Sequence, residues 1–243
     1  MDEKEGELVF NEDTHTYYYN GKLLESATGF LKRFQKTFDK KRWSIHTARV
    51  EGRPVKDVLN DWQKKSIMSN EFGTRVHTFA ERYAKIKIGT EKIDYVAADF
   101  KEEQFKKSII KFWSNHPELQ PVEIEKRVCV PKWMIAGTVD LIVKSDDGNY
   151  YIVDWKSNEK ITTFSLYDEK LLPPLEHLDD CHLNKYALQI SLYRYMLEVR
   201  YRYRFDKNFM IHLREDGYEE YNVPYFKKEI EDLIKIREGE LNL

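Results

Sequence analysis

Asp140, Asp154 and Lys156 are the residues whose types and spacing point most directly to chemistry. They lie in AGTVDLIV, residues 136–143, and YYIVDWKS, residues 150–157. Strand alternation predicts that Thr138, Asp140 and Ile142 share one side of the first segment, with Val139, Leu141 and Val143 on the other. In the second, Asp154 and Lys156 share a face with Ile152, away from Val153 and Trp155. The loop Ser145-Asp146-Asp147-Gly148-Asn149 carries a DG step, the mark of a short hairpin, which sets Asp140 beside Asp154. On an exposed strand such a pair would contribute under ~1 kcal/mol. Inside these apolar runs an uncompensated carboxylate is costly unless a cation accompanies it. A hard divalent ion with oxygen ligands is the natural compensation, and two carboxylates can hold Mg²⁺ that keeps several waters. Two acids and an ammonium around such an ion suit phosphodiester hydrolysis.

These residues resemble the signature of the PD-(D/E)XK nuclease superfamily, an acid on one strand followed by acid-x-Lys on the next: here Asp140, then Asp154-Trp155-Lys156. Val139 stands where the family usually has proline. Gly137, three residues before Asp140, gives the G-x-x-D form of the RecB-like exonuclease branch. Upstream, FGTRVHTFAE, residues 72–81, is similar to that branch's G-x-x-x-H-x-x-x-E helix, with His77 and Glu81 four apart on one face. Downstream, YALQISLY, residues 186–193, is similar to its Q-x-x-x-Y helix. Gln189 and Tyr193 share a face there, and Leu188, Leu192, Tyr195 and Met196 supply an apolar stripe. Taken singly, a helical histidine is usually structural and an amphipathic helix usually only packs. The order of helix with His, strand with Asp, strand with Asp-x-Lys, helix with Gln and Tyr is the family's.

The resemblance implies an α/β (α+β) fold with a mixed sheet. It would have a restriction-endonuclease-like αβββαβ core in residues 72–243 and a β-hairpin and helical extension in 1–71, together one nuclease domain. It implies that His77, Asp140, Asp154 and the backbone carbonyl of Trp155 hold one or two Mg²⁺ or Mn²⁺ ions; imidazole suits manganese better. Lys156 would orient the nucleophile or stabilise transition-state charge. Gln189 and Tyr193 would position the scissile strand, with Arg75 and Glu81 as supporting contacts and Glu125 as a further ligand or an outer contact. RecB-like members generally process DNA ends. The expected activity is therefore exonucleolytic cleavage of linear single- or double-stranded DNA in recombination, replication or repair, with a recombination or replication protein as a further partner. Two alternatives share these residues: a structure-specific or RNA endonuclease, as in the cap-snatching enzymes of segmented RNA viruses, and a nucleic-acid-binding module whose site has decayed.

The elements that must position these side chains can be read from the rest of the chain. Its 243 residues suffice for one compact enzyme. Asn20-Gly21 signals a hairpin near the start, and Ser26 suits the N-cap of a helix carrying Phe30, Leu31 and Phe34. Helices are predicted over 39–49, 54–68, 72–86 and 97–113, a strand over 122–130, strands over 209–213 and 218–223, and a helix over 224–237. Residues 158–182, with Pro173-Pro174, form a long connection expected to cover the site, grip substrate or remain disordered.

Forty basic against 42 acidic residues leave a net charge of −2, so attraction to nucleic acid must come from local patches. Candidates are Lys40-Lys41-Arg42, Lys64-Lys65, Lys106-Lys107 and Arg200-Tyr201-Arg202-Tyr203-Arg204, the last suited to a single-strand track. Lysine runs are otherwise ordinary solvated faces. The two cysteines, Cys129 and Cys181, argue against a disulfide framework and for a reducing cytosol, bacterial or of a virus-infected cell. They are too few for the four-cysteine iron–sulfur cluster of some RecB-like relatives. The acidic start lacks the apolar stretch of a signal peptide, and no segment reads as a membrane span.

Overall fold

Asn20 and Gly21 both adopt left-handed backbone (φ 48° and 76°), as a two-residue hairpin requires. They join β2 (Thr16–Tyr19) to β3 (Lys22–Ser26), and β1 (Leu8–Asn11) completes a three-stranded antiparallel ribbon. The computed structural model describes residues 6–92, 95–165 and 168–243. Ser26 accepts a hydrogen bond from Gly29 N and caps α1 (Ala27–Lys32), as its position predicts. Two further helices follow, α2 (Lys40–Glu51) and α3 (Val55–Lys87).

Two helices were expected where α3 runs unbroken for 33 residues. No proline interrupts it. Gly73, which costs about 1 kcal/mol relative to alanine within a helix, is outweighed by the face of Val76, Phe79, Ala80 and Ala84. That face is buried against Phe105, Ile109 and Phe112 of α4 (Phe100–Asn115). The helix thus crosses residue 72, where the core was expected to begin.

Next come β4 (Leu119–Val130), β5 (Ile135–Ser145) and β6 (Tyr150–Lys156), then α5 (His182–Tyr201), β7 (Phe205–Arg214), β8 (Gly217–Asn222) and α6 (Lys227–Glu240). From α4 to β7 this is the helix, three strands, helix, strand order of a restriction-endonuclease-like core, with α3 packed beside α4. The strands form one mixed sheet in the order β1-β2-β3-β5-β6-β7-β8, with β4 on the other edge of β5. Pro121 is tolerated inside β4 because that strand pairs with β5 alone. Helices α1, α5 and α6 cover one face of the sheet through Phe30, Leu188, Leu192, Met196 and Ile230 packed on Ile142 and Ile152. Helices α3 and α4 cover the other, on Leu141, Val143, Val153 and Trp155.

Strict alternation fails within β5. Val139 packs with Ile142 in the α1–α5 core, not with Leu141 and Val143. The cause lies in the ladders around Asp140. β3 pairs with β5 at Ile135 and Ala136, and β6 pairs with it from Leu141 to Lys144, so residues 137–140 have no ladder partner on that edge. On the other edge Glu125, facing Asp140, takes a left-handed conformation (φ 48°) and the pairing skips both residues. β5 can therefore turn as it passes Asp140.

Packing bears on two expectations. Most of the described part of 158–182 is built into the fold: Leu171 and Leu175 are buried in the α5-side core, Leu172 N donates to Phe34 O, and Lys170 pairs with Asp179 at 2.5 Å, while Asn158 and Glu159 line an open cleft. The Arg/Tyr run at the end of α5 is divided: Arg202 and Arg204 are exposed, whereas Arg200, Tyr201 and Tyr203 reach β4. Arg200 donates to Cys129 O (2.9 Å), the Tyr201 hydroxyl accepts from Cys129 N (3.3 Å), and Tyr203 donates to Glu123 (2.9 Å). These bonds tie the end of α5 to β4. Among the described residues no helix is long and apolar enough to cross a membrane.

Candidate active site

The break in the β5 ladders is where the predicted residues meet. Continuing the β5–β6 register one step past Leu141↔Val153 sets Asp140 opposite Asp154, as the hairpin required. Trp155 N donates to Asp140 Oδ2 at 2.9 Å, bridging the strands beyond their ladder. The contact is made by the amide of Trp155, whose indole packs against Phe112 in the core. His77 approaches from α3, its Nδ1 3.4 Å from the same Asp140 oxygen. Val76, Phe79 and Ala80 anchor that turn of helix in the core and leave His77 facing the sheet. One turn on, Glu81 accepts from Lys85 at 2.5 Å.

Glu125 joins this pair. A ligand atom from each of His77, Glu125 and Asp140 lies within 4.8 Å of the others. The left-handed conformation of Glu125 is the local irregularity that accompanies this arrangement. Behind the three, Asp154 is almost fully buried, and Lys156 Nζ lies 2.5 Å from its Oδ2. That contact is a close ion pair without the alignment of a hydrogen bond, so Oδ2 has no well-oriented donor. The Lys156 ammonium also sits 4.7 Å from the ring centre of Tyr186, whose hydroxyl donates to Asn158 Oδ1 at 2.9 Å.

Helix α5 backs the site. Gln189 Nε2 donates to the Tyr193 hydroxyl at 3.4 Å, and the Tyr193 ring presses on Gly137 so closely that a Cβ there would lie 2.5 Å from it. The G-x-x-D glycine thus makes room for the Q-x-x-x-Y tyrosine. From the ribbon, the Tyr17 hydroxyl reaches Thr138 Oγ1 at 2.9 Å.

Charge is poorly balanced here. Burial, then the neighbouring carboxylates of Asp140 and Glu81, push Glu125 up to about 8. Burial likewise raises Asp154, with Asp140 adding to the effect and Lys156 opposing it. For Lys156, burial favours loss of the proton, but Asp154 and Asp140 outweigh it and hold the ammonium above the ordinary lysine range. Carboxylates that resist ionisation, a buried oxygen without an oriented donor and an adjacent imidazole are together a donor set that fits a divalent cation.

Arg75 donates from Nε to Glu102 at 2.9 Å, joining α3 to α4, and lines the same cleft as His77. Sequence reasoning gave no role to Tyr186 or Tyr17. Tyr186 was detectable by helical phase, three residues before Gln189 and seven before Tyr193. Tyr17 carried no such signal, because only the β3–β5 pairing brings the ribbon to Thr138. The cleft onto which His77, Glu81 and Glu125 open has a volume of about 1700 Å³, and Lys64, Lys65, Thr78, Ser157, Asn158 and Glu159 contribute to its walls, whereas Asp140, Asp154 and Lys156 do not line it.

The family model of the PD-(D/E)XK nuclease superfamily matches residues 42–215, and the chain belongs to that superfamily. Its mixed sheet and helix order are consistent with the fold of that superfamily. A solved structure described as "Crystal structure of SSO0001" is 13% identical and covers 69% of this chain and 87% of its own, with a TM-score of 0.28, too loose a superposition to bear on function. Comparison with curated proteins yields no match.

Proposed function

We propose that this chain is a metal-dependent deoxyribonuclease of the RecB-like branch that hydrolyses phosphodiester bonds at the ends of linear DNA in recombination, replication or repair, working as a single nuclease domain. The observation that carries this reading is the convergence of His77, Glu125 and Asp140 beside the buried Asp154–Lys156 pair. His77, Glu125 and Asp140, with Asp154 behind them, would hold Mg²⁺ or Mn²⁺. Such an ion, when bound, neutralises phosphate charge and acidifies water. Lys156 keeps its proton at Nζ and places a fixed positive charge where phosphate oxygens gain charge in the transition state. Tyr186 and Asp154 hold that ammonium between them. Tyr193, buried against Gly137 and bonded by Gln189, keeps in place the strand that carries Asp140, and Trp155 N orients its carboxylate.

Purified protein with Mn²⁺ is expected to release nucleotides from end-labelled linear DNA and to leave circular single-stranded DNA intact. Lys156→Ala and Asp154→Asn should each lower the rate by at least about 10²-fold while remaining folded by circular dichroism. Cleavage of the circle at the linear rate would overturn the end-dependence, and undiminished cleavage by both variants would remove this site from the chemistry.

A further inference from the structure

The cleft is walled in part by residues that the family match, which begins at residue 42, does not include. Phe10, Glu12 and His15 of the N-terminal ribbon line it together with His77, Glu125 and Thr138. Phe10 packs at 4.7 Å on Tyr17, the residue that bonds Thr138, and at 5.9 Å edge-on to His15. His15 is exposed and in left-handed backbone (φ 51°). The Arg127 guanidinium lies 5.2 Å over the Phe10 ring, and Glu12 is 3.6 Å from it. Arg127 faces Thr138 across the β4–β5 ladder, two residues from Glu125, which is about 7 Å along a strand.

The same arrangement recurs on α3. There Phe72 lines the cleft with Lys101 4.6 Å and Arg75 5.8 Å from its ring centre, and its edge rests on Phe105. Arg75 is committed to Glu102, whereas Lys101 is on an exposed turn of α4. Each side of the cleft thus offers an aromatic ring with a long cationic side chain laid on it. Such a cation can move from the ring to a phosphate, which leaves the ring free for a base. Ring-to-base stacking reaches only bases whose faces are uncovered, and in a duplex they are not.

We propose that Phe10 with Arg127, and Phe72 with Lys101, form two stacking-and-phosphate shelves that select an unpaired DNA strand for the cleft, the first of them supplied by the N-terminal ribbon. This rests on the reading of the cleft as a nuclease site. It places the single-strand track in the cleft rather than along the Arg/Tyr run at the end of α5, whose Arg200, Tyr201 and Tyr203 are engaged with β4.

The test uses the Lys156→Ala protein, so that DNA stays uncut, and fluorescence anisotropy with labelled oligothymidylate and a blunt duplex of equal length. The oligothymidylate should bind more tightly. Phe10→Leu and Phe72→Leu, which keep apolar packing and remove the ring, should each weaken it about tenfold and reduce the single-strand-to-duplex affinity ratio. Arg127→Gln should weaken binding and flatten its salt dependence. A merely structural role would lower both affinities together and leave the ratio unchanged, which overturns the proposal, as does tighter binding of the duplex. The two readings fail separately. A wild-type protein that cleaves DNA while the ratio ignores both rings refutes the shelves alone. A wild type that cleaves nothing refutes the nuclease reading, and the ring dependence of binding then still decides the shelves.

Discussion

Glu102 and Asp154 expose only 1% and 2% of their surface, Asp154 at the greater depth, and their surroundings treat them oppositely. Glu102 accepts from Arg75 Nε (2.9 Å), the Tyr95 hydroxyl (2.6 Å) and Ala98 N (3.2 Å), at the start of a helix that Asp99 caps. Burial would raise its pKa, but these donors outweigh burial and hold it below the ordinary carboxylate range. Asp154 has one cation and no aligned donor on Oδ2, and its pKa is raised. Its neighbour Glu125 has other acids beside it and is raised as well. The first arrangement completes a joint between α3 and α4. The second leaves a deficit of positive charge beside a cleft, which a bound cation would remove.

The comparison is most easily broken at Glu102. Glu102→Gln should remove about 3 kcal/mol of stability, because Arg75, Tyr95 and Ala98 N then lose a charged acceptor, and a urea titration would measure it. A loss below about 1 kcal/mol would show that the joint matters no more than an exposed ion pair.

Of nearly equal size is the effect of metal. Mn²⁺ at about a hundred times its dissociation constant should stabilise the wild type by about 2.7 kcal/mol, read as a rise in melting temperature. Asp140→Asn should respond much less. Equal shifts in the two proteins would place the ion elsewhere.

The smallest effect sharpens the contrast through pH. Glu125 has a folded pKa raised from 4.5 to about 8, so the folded metal-free chain holds that proton more tightly than the unfolded chain. Its contribution to stability is whole below about pH 4.5 and is lost as the pH rises through about 8. Glu102 has a lowered pKa, so its contribution is present above 4.5 and is lost as the pH falls through its folded value. In metal-free protein Glu125→Gln should therefore flatten the decline in melting temperature between pH 5 and 8, and Glu102→Gln should flatten the acid side. An unchanged slope in the first variant would mean that Glu125 ionises freely.

Local pattern carried much of this protein. Period-two segments with a DG step between them specify the β5–β6 hairpin and so the Asp140–Asp154 juxtaposition, because a hairpin's register follows from its turn. Four-residue spacing places His77 with Glu81 and Gln189 with Tyr193, because a helix repeats every 3.6 residues. The same signals did not find the continuity of α3, since nothing in residues 69–72 says whether tertiary packing will carry a helix through a weak stretch.

What tertiary structure alone decided is which of these faces meet. Glu125 enters the cluster where the β4–β5 ladder skips a pair and its backbone turns left-handed, a state set by the neighbouring strands and not by its own residue type. The ribbon reaches the cleft because β3 adds to β5 in parallel, a pairing between residues more than a hundred positions apart. The deficit of charge at Asp154 exists only once α5 has closed over the strand. Periodicity reports which side of its own element a residue takes, whereas a metal site and a substrate wall are relations between elements. Register, ladder breaks and burial fix those relations, and they come into being when the chain is packed.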